Sequence, residues 1–110
     1  MIEGLWVVQY EGIAGGDGGV IVFIRGQVLG GDNAFAYTGT YQSDGNTISA
    51  DVSVRNFNPR IGNVLGVEGD FELRMQGTVQ GAIIVGSASL VNREGPGIVV
   101  KLTKIADLAT

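Results

Sequence analysis

The chain has 110 residues, a formal net charge of −4 and a pI near 4.5, with nineteen glycines, two prolines and neither histidine nor cysteine. Those absences exclude a disulfide framework, a thiolate or imidazole zinc site, and the side chain most used as a general base near neutral pH. The seven Lys and Arg residues are scattered between positions 25 and 104 without clustering, which argues against direct nucleic-acid binding.

Met1, Ile2 and Glu3 lead straight into a strand pattern with no basic start, and no apolar run reaches membrane length. The expectation is one cytoplasmic domain over residues 1–110, with no membrane contact, metal or cofactor. Glycines fall mainly between short apolar runs, which is the punctuation of an all-β chain.

In chain order, residues 5–10 place Trp6, Val8 and Tyr10 on one face, and residues 20–25 form a second strand. Arg25-Gly26 predicts a tight hairpin into residues 27–29. Residues 30–41 read Gly-Gly-Asp-Asn-Ala-Phe-Ala-Tyr-Thr-Gly-Thr-Tyr, a glycine-acid turn running into a strand with Phe35, Tyr37, Gly39 and Tyr41 on one side. Ser43-Asp44-Gly45-Asn46 supplies the residue types that tolerate positive φ in a hairpin loop.

Residues 47–57 then alternate cleanly, Ile48, Ala50, Val52 and Val54 against Thr47, Ser49, Asp51, Ser53 and Arg55. In the segment 58–69, Asn58 suits an N-cap, Pro59 a first helical turn and Gly66 a stop, so one short helix or 3₁₀ turn is expected near 58–66. Phe71, Leu73 and Met75 alternate with Glu72, Arg74 and Gln76, and residues 82–91 and 98–105 bring the count to eight strands. Eight short antiparallel strands hide their edges by closing into an up-and-down barrel, and glycines within strands at Gly39, Gly77 and Gly86 permit the coiling a small barrel demands.

Gly4-Leu5-Trp6 resembles the Gly-x-Trp signature of lipocalins and related barrels, in which a basic residue from the last strand packs over the ring; Lys104 takes that part here. Gly4, the Gly30-Gly31-Asp32 turn, Tyr37-x-Gly39 and the run Asn63-Val64-Leu65-Gly66-Val67-Glu68 occur in the order found in the GrlR-like negative regulators of type III secretion. The resemblance covers the chain from Gly4 to about Leu73. It implies a lipocalin-like barrel that dimerises and holds a transcriptional activator inactive by protein contact, without touching DNA. In that family an acidic loop contacts the activator; the matching partner-binding loop here is Ser43, Asp44, Gly45 and Asn46, with one carboxylate.

Other constellations carry less. Residues 15–19 look like a phosphate cradle but lead into a strand rather than a helix. Asp17, Asp32 and Asp44 have turn chemistry rather than the acidic spacing of a calcium loop. Catalysis would rest on Asp51, Asp70 and Glu72, yet Arg55 and Arg74 lie beside them as in exposed cross-strand pairs, so no enzymatic activity is expected.

The alternative function is a small-ligand barrel in which Trp6, Tyr10, Tyr37 and Tyr41, with Lys104, line a cavity for a small apolar molecule; otherwise the same rings fill the core. Strands apolar on both sides suggest an outward patch of Leu5, Val7, Ile21, Phe23, Ile83 and Val85, covered by a second copy in a homodimer.

Overall fold

The computed structural model describes residues 2–11, 16–58, 70–91 and 97–109. They form eight strands: β1 (Gly4–Glu11), β2 (Gly16–Ile24), β3 (Gln27–Gly31), β4 (Phe35–Asp44), β5 (Thr47–Asn56), β6 (Phe71–Gln80), β7 (Ile83–Leu90) and β8 (Ile98–Ala106). Each pairs antiparallel with the next, and β8 pairs back onto β1, so the sheet is a closed barrel in sequence order. This is the expected architecture. The described residues contain no helix, and the turn expected near 58–66 lies, apart from Asn58, outside them.

Three two-residue hairpins join strands at the lower end: Arg25-Gly26, Gly45-Asn46 and Gly81-Ala82. Arg25 and Gly26 both have positive φ, at 50° and 77°, as a type I′ turn requires. Gly45 and Gly81, each at 61°, are the single positive-φ residues of their turns, the type II′ pattern that favours glycine in the first central position. Ser43 and Asp44 therefore belong to β4, paired with Ile48 and Thr47, and the expected four-residue loop contracts to its last two members.

Period-two alternation divides every strand between inside and outside. Trp6 and Val8 of β1, Val28 of β3, Phe35 and Tyr37 of β4, Ile48, Ala50 and Val54 of β5, Phe71 and Met75 of β6, Ile84 and Ala88 of β7, and Ile98, Val100 and Leu102 of β8 all point inward and are buried. Ile21 and Phe23 of β2, expected on the outer patch, also point inward. Val20 to Ile24 is apolar on both sides, so its parity is fixed only by pairing: Ile21 lies opposite Trp6, and Phe23 opposite Gly4. The outward residues of this stretch are Val20, Val22 and Ile24.

Inside, aromatic rings set two levels. Near the lower end Phe23 stands edge-on to both Trp6, at 6.1 Å, and Tyr41, at 4.9 Å. Towards the upper end Phe35 and Phe71 meet edge-on at 6.2 Å. A void large enough for water leaves accessible area on its walls, and Trp6, Phe23, Val28, Ile84 and Leu102 have essentially none. Each fully buried side chain of this size contributes about 1.5–3 kcal/mol.

Trp6 is held from several directions. Its indole N–H donates to the carbonyl of Ile2 at 2.8 Å, and the Lys104 ammonium lies 5.8 Å from the ring centroid, the cation–π contact expected of the Gly-x-Trp pattern. Gly4 explains the glycine of that pattern: a Cβ there would come within 2.7 Å of the Lys104 stem and collide with the Ala106 carbonyl. Lys104 is also ion-paired with Asp107.

The strand glycines mark close approach. A Cβ on Gly39 would lie 2.9 Å from the Val52 Cα, and one on Gly86 would lie 2.7 Å from the Cα of Gly77, its cross-strand partner. Gly86→Ala is therefore expected to force the β6–β7 ladder apart at a cost of about 1–3 kcal/mol, read as a lower denaturant midpoint with an unchanged slope.

Candidate functional site

Because inside and outside alternate, the outer surface is written by a separate set of residues from the core, and it falls into two unlike sectors. On β4, β5 and β6 the outward residues are polar or small: Thr38, Thr40, Gln42 and Asp44, then Thr47, Ser49, Asp51 and Ser53, then Glu72, Arg74, Gln76 and Thr78. Asp51 and Arg74 are direct cross-strand partners and form a 2.9 Å ion pair with both side chains more than half exposed, as expected for a surface pair. Such a pair contributes at most about 1 kcal/mol. Glu72 accepts a 3.3 Å hydrogen bond from the Ser53 hydroxyl, and Asp70 accepts one from the Asn56 backbone N–H at 2.9 Å. Arg55 is exposed on β5, opposite Ala36.

The remaining strands carry exposed apolar side chains, interleaved with polar ones such as Gln27, Ser87 and Lys101. On β7 and β8, Ile83, Val85, Val99 and Ile105 are between 37% and 59% exposed, more than an apolar side chain needs to be on a covered sheet. On β1 to β3, Leu5 lies opposite Val22, Val22 opposite Leu29, and Val7 opposite Val20, with Val20 and Leu29 each 44% exposed. Leu5, Val7, Ile83 and Val85 thus occupy the outer face as expected. Val20, Val22, Leu29, Val99 and Ile105 join them; their strand parity was ambiguous in the sequence.

Among the described residues, two depressions of the outer surface stand out. The larger, about 630 Å³, crosses β4 to β7 over the Gly77–Gly86 pair and is lined mainly by hydroxyls and amides, including Gln42, Ser49, Gln76 and Ser87 in one cross-strand row. Ser43 and Asp44 of the expected partner-binding loop lie on its margin, while Gly45 and Asn46 form the exposed turn beside it. The smaller, about 460 Å³, is lined by Val7, Gly18, Gly19, Val20, Gly31, Asp32 and Asn33.

Asp32 is held by three hydrogen bonds. It caps its own turn, its Oδ1 accepting the backbone N–H groups of Ala34 and Phe35, both at 2.8 Å. Its Oδ2 accepts the Tyr37 hydroxyl at 2.5 Å, and Tyr37 in turn accepts the Tyr10 hydroxyl at 3.2 Å. The chain Tyr10–Tyr37–Asp32 ties β1 to β4 and to the turn before it. The turn role of Asp32 is the one expected of its glycine-acid motif; its second role follows from Tyr37 lying inward on the strand that this turn starts.

The four rings read from the sequence as core or cavity wall do not meet in one chamber. Trp6 and Tyr41 belong to the lower aromatic cluster with Lys104 over the indole, whereas Tyr10 and Tyr37 belong to the upper hydrogen-bonded chain. Burial raises the Tyr37 hydroxyl far above its ordinary range, with the Tyr10 phenol and the Asp32 carboxylate acting in the same direction. Burial also raises Tyr10, only partly offset by its hydrogen bond to Tyr37.

Among the described residues, no group of three or more acidic side chains is placed to hold a metal ion. No protein-family model matches the chain, and no curated protein matches it.

The raised phenols link stability to alkaline pH. Since both hydroxyls ionise less readily in the folded state than at the ordinary value of 10.0, their contribution is fully present below about pH 10 and is lost as pH rises beyond it. Denaturation midpoints should hold steady towards pH 10 and fall above it. Tyr37→Phe should weaken that fall while lowering stability at neutral pH by about 1–3 kcal/mol, because the Asp32 carboxylate loses a donor.

Proposed function

We propose that this protein is a non-catalytic regulatory barrel that acts by binding protein, similar in mode to the GrlR-like negative regulators: a cytoplasmic homodimer that sequesters a partner such as a transcriptional activator and does not bind DNA. The observation that carries this reading is the division of the outer surface, with an apolar sector over β7, β8 and β1 to β3 and a polar one over β4 to β6. Exposed apolar area on one side of a small barrel is the signature of a surface made to be covered. The packed lower core supports the same choice over a ligand barrel, since rings that fill the interior leave their space to no guest.

Charge favours one part of the apolar sector for self-association. Two copies each carrying −4 repel at long range, so their contact belongs where carboxylates are absent. The outward residues of β7 and β8 include Ile83, Val85, Ser87, Val99, Lys101, Thr103 and Ile105, with no acid among them. A two-fold interface there would leave the β1–β3 patch for the regulatory partner.

Light scattering at micromolar concentration should give twice the 11.4 kDa chain mass, and Val85→Asp should return it to the monomer without changing the β circular dichroism. A monomer mass for the unaltered protein would remove the dimer. An affinity capture from the native cell should recover a specific protein that Val20→Asp fails to recover; capture indistinguishable from background would count against the regulatory reading itself.

A further inference from the structure

The smaller depression has features that the apolar patch beside it lacks. Its floor is backbone. A Cβ on Gly18 would collide with the Val8 carbonyl, one on Gly19 would lie 2.9 Å from the Gly31 carbonyl carbon, and one on Gly31 would lie 2.7 Å from the Phe35 carbonyl oxygen. A Cβ at any of these positions would press on neighbouring backbone, so glycine there follows from how closely β2 approaches β1 and β3, and β3 approaches β4. Its walls are Val7 and Val20, an aliphatic pair lying directly opposite one another across β1 and β2. Its rim is polar, formed by Asp32 and the exposed Asn33.

Asp32 gives the rim its charge. The carboxylate accepts two backbone N–H groups on Oδ1 and one hydroxyl on Oδ2, and the ion pairs of the described residues do not include it. An ionised carboxylate offers about four acceptor sites, so three neutral donors leave about one for a further partner. The turn, the valines and the glycine floor together make an apolar hollow with Asp32 in its lining, on a chain whose net charge of −4 attracts cations at long range.

The geometry points to this depression, above Gly18, Gly19 and Gly31, as the docking pocket for a basic side chain carried on an apolar segment of a partner protein. This rests on the protein-binding reading and adds to it the partner's chemistry and the place where it binds. The partner's aliphatic stem lies between Val7 and Val20, and its charged head reaches the Asp32 rim, the division of labour that long basic side chains adopt at the margins of apolar surface. One remaining acceptor site suits the single-point contact of a lysine ammonium better than the two-pronged fork of an arginine. The flanking apolar residues of the same segment meet Leu5, Val22 and Leu29, which continue the valine pair along the outer face.

The test uses isotope-labelled full-length protein and two synthetic peptides of equal length with leucines at helical spacing, one carrying lysines and the other glutamates. The lysine peptide should shift the backbone amides of Gly18, Gly19, Val20, Gly31 and Asn33, and the glutamate peptide should leave them in place. Asn33→Lys puts a cation on the rim from an exposed position and should weaken binding of the lysine peptide by about tenfold, the scale of one charge-assisted contact. Unchanged Trp6 fluorescence in that variant shows that the core is intact. Equal shifts with both peptides, no shift at these amides, or shifts confined to the polar trough across β4 to β7 or to the β7–β8 face would overturn the inference. Dimer mass and partner capture are read independently, so the pocket can fail while the regulatory reading stands.

Discussion

The ladder between β1 and β8 joins residues close to opposite ends of the chain, and every other feature depends on it. With that ladder formed the sheet has no free edge, and each residue of every strand is committed to the inside or the outside. The interior of an eight-stranded barrel then has to be filled by whatever the inward positions supply. Trp6, Phe23 and Leu102 fill it where side chains fit, and glycines at positions 39 and 86 take over where neighbouring strands come too close for a Cβ. Core and glycines are two answers to one cross-section.

The parts of this arrangement legible in the sequence are those where inside and outside differ in polarity. Residues 47–56 and 71–76 alternate between apolar and polar, so their inward faces are legible without knowledge of the pairing. Val20 to Ile24 offers no such contrast, and Ile21 and Phe23 could be placed only through their partners on β1. Turn chemistry was legible at Arg25-Gly26. At 43–46 it was only half legible, because the same residue types serve a four-residue loop or a two-residue turn, and the length of β4 decides between them. The cation–π lid of Lys104 over Trp6 was expected as well, because the Gly-x-Trp resemblance implies a basic residue from the last strand over the ring.

The site was harder to read than the fold, for a physical reason. A pocket on the outside of a barrel is made by cross-strand neighbours distant in sequence, as Val7, Gly19 and Asp32 are, and no local periodicity brings them together. Asp32 illustrates the limit: the turn it caps is a local matter, whereas its bond to Tyr37 and the further link to Tyr10 depend on the closed sheet. Burial of those hydroxyls without unsatisfied partners makes the chain a register pin between β1 and β4.

The lower hairpins differ from the upper connections in what they allow an evolving lineage to change. A two-residue turn such as Gly45-Asn46 has no slack, and adding one residue there risks moving a whole strand's side chains to the opposite face. Longer connections absorb insertions without that penalty. The outward positions are freer still, because each alternates with an inward neighbour and can be replaced without altering the core. Descendants of this barrel can therefore acquire a new outer surface by rewriting one face and lengthening one end, while the staves and their tight turns are inherited unchanged.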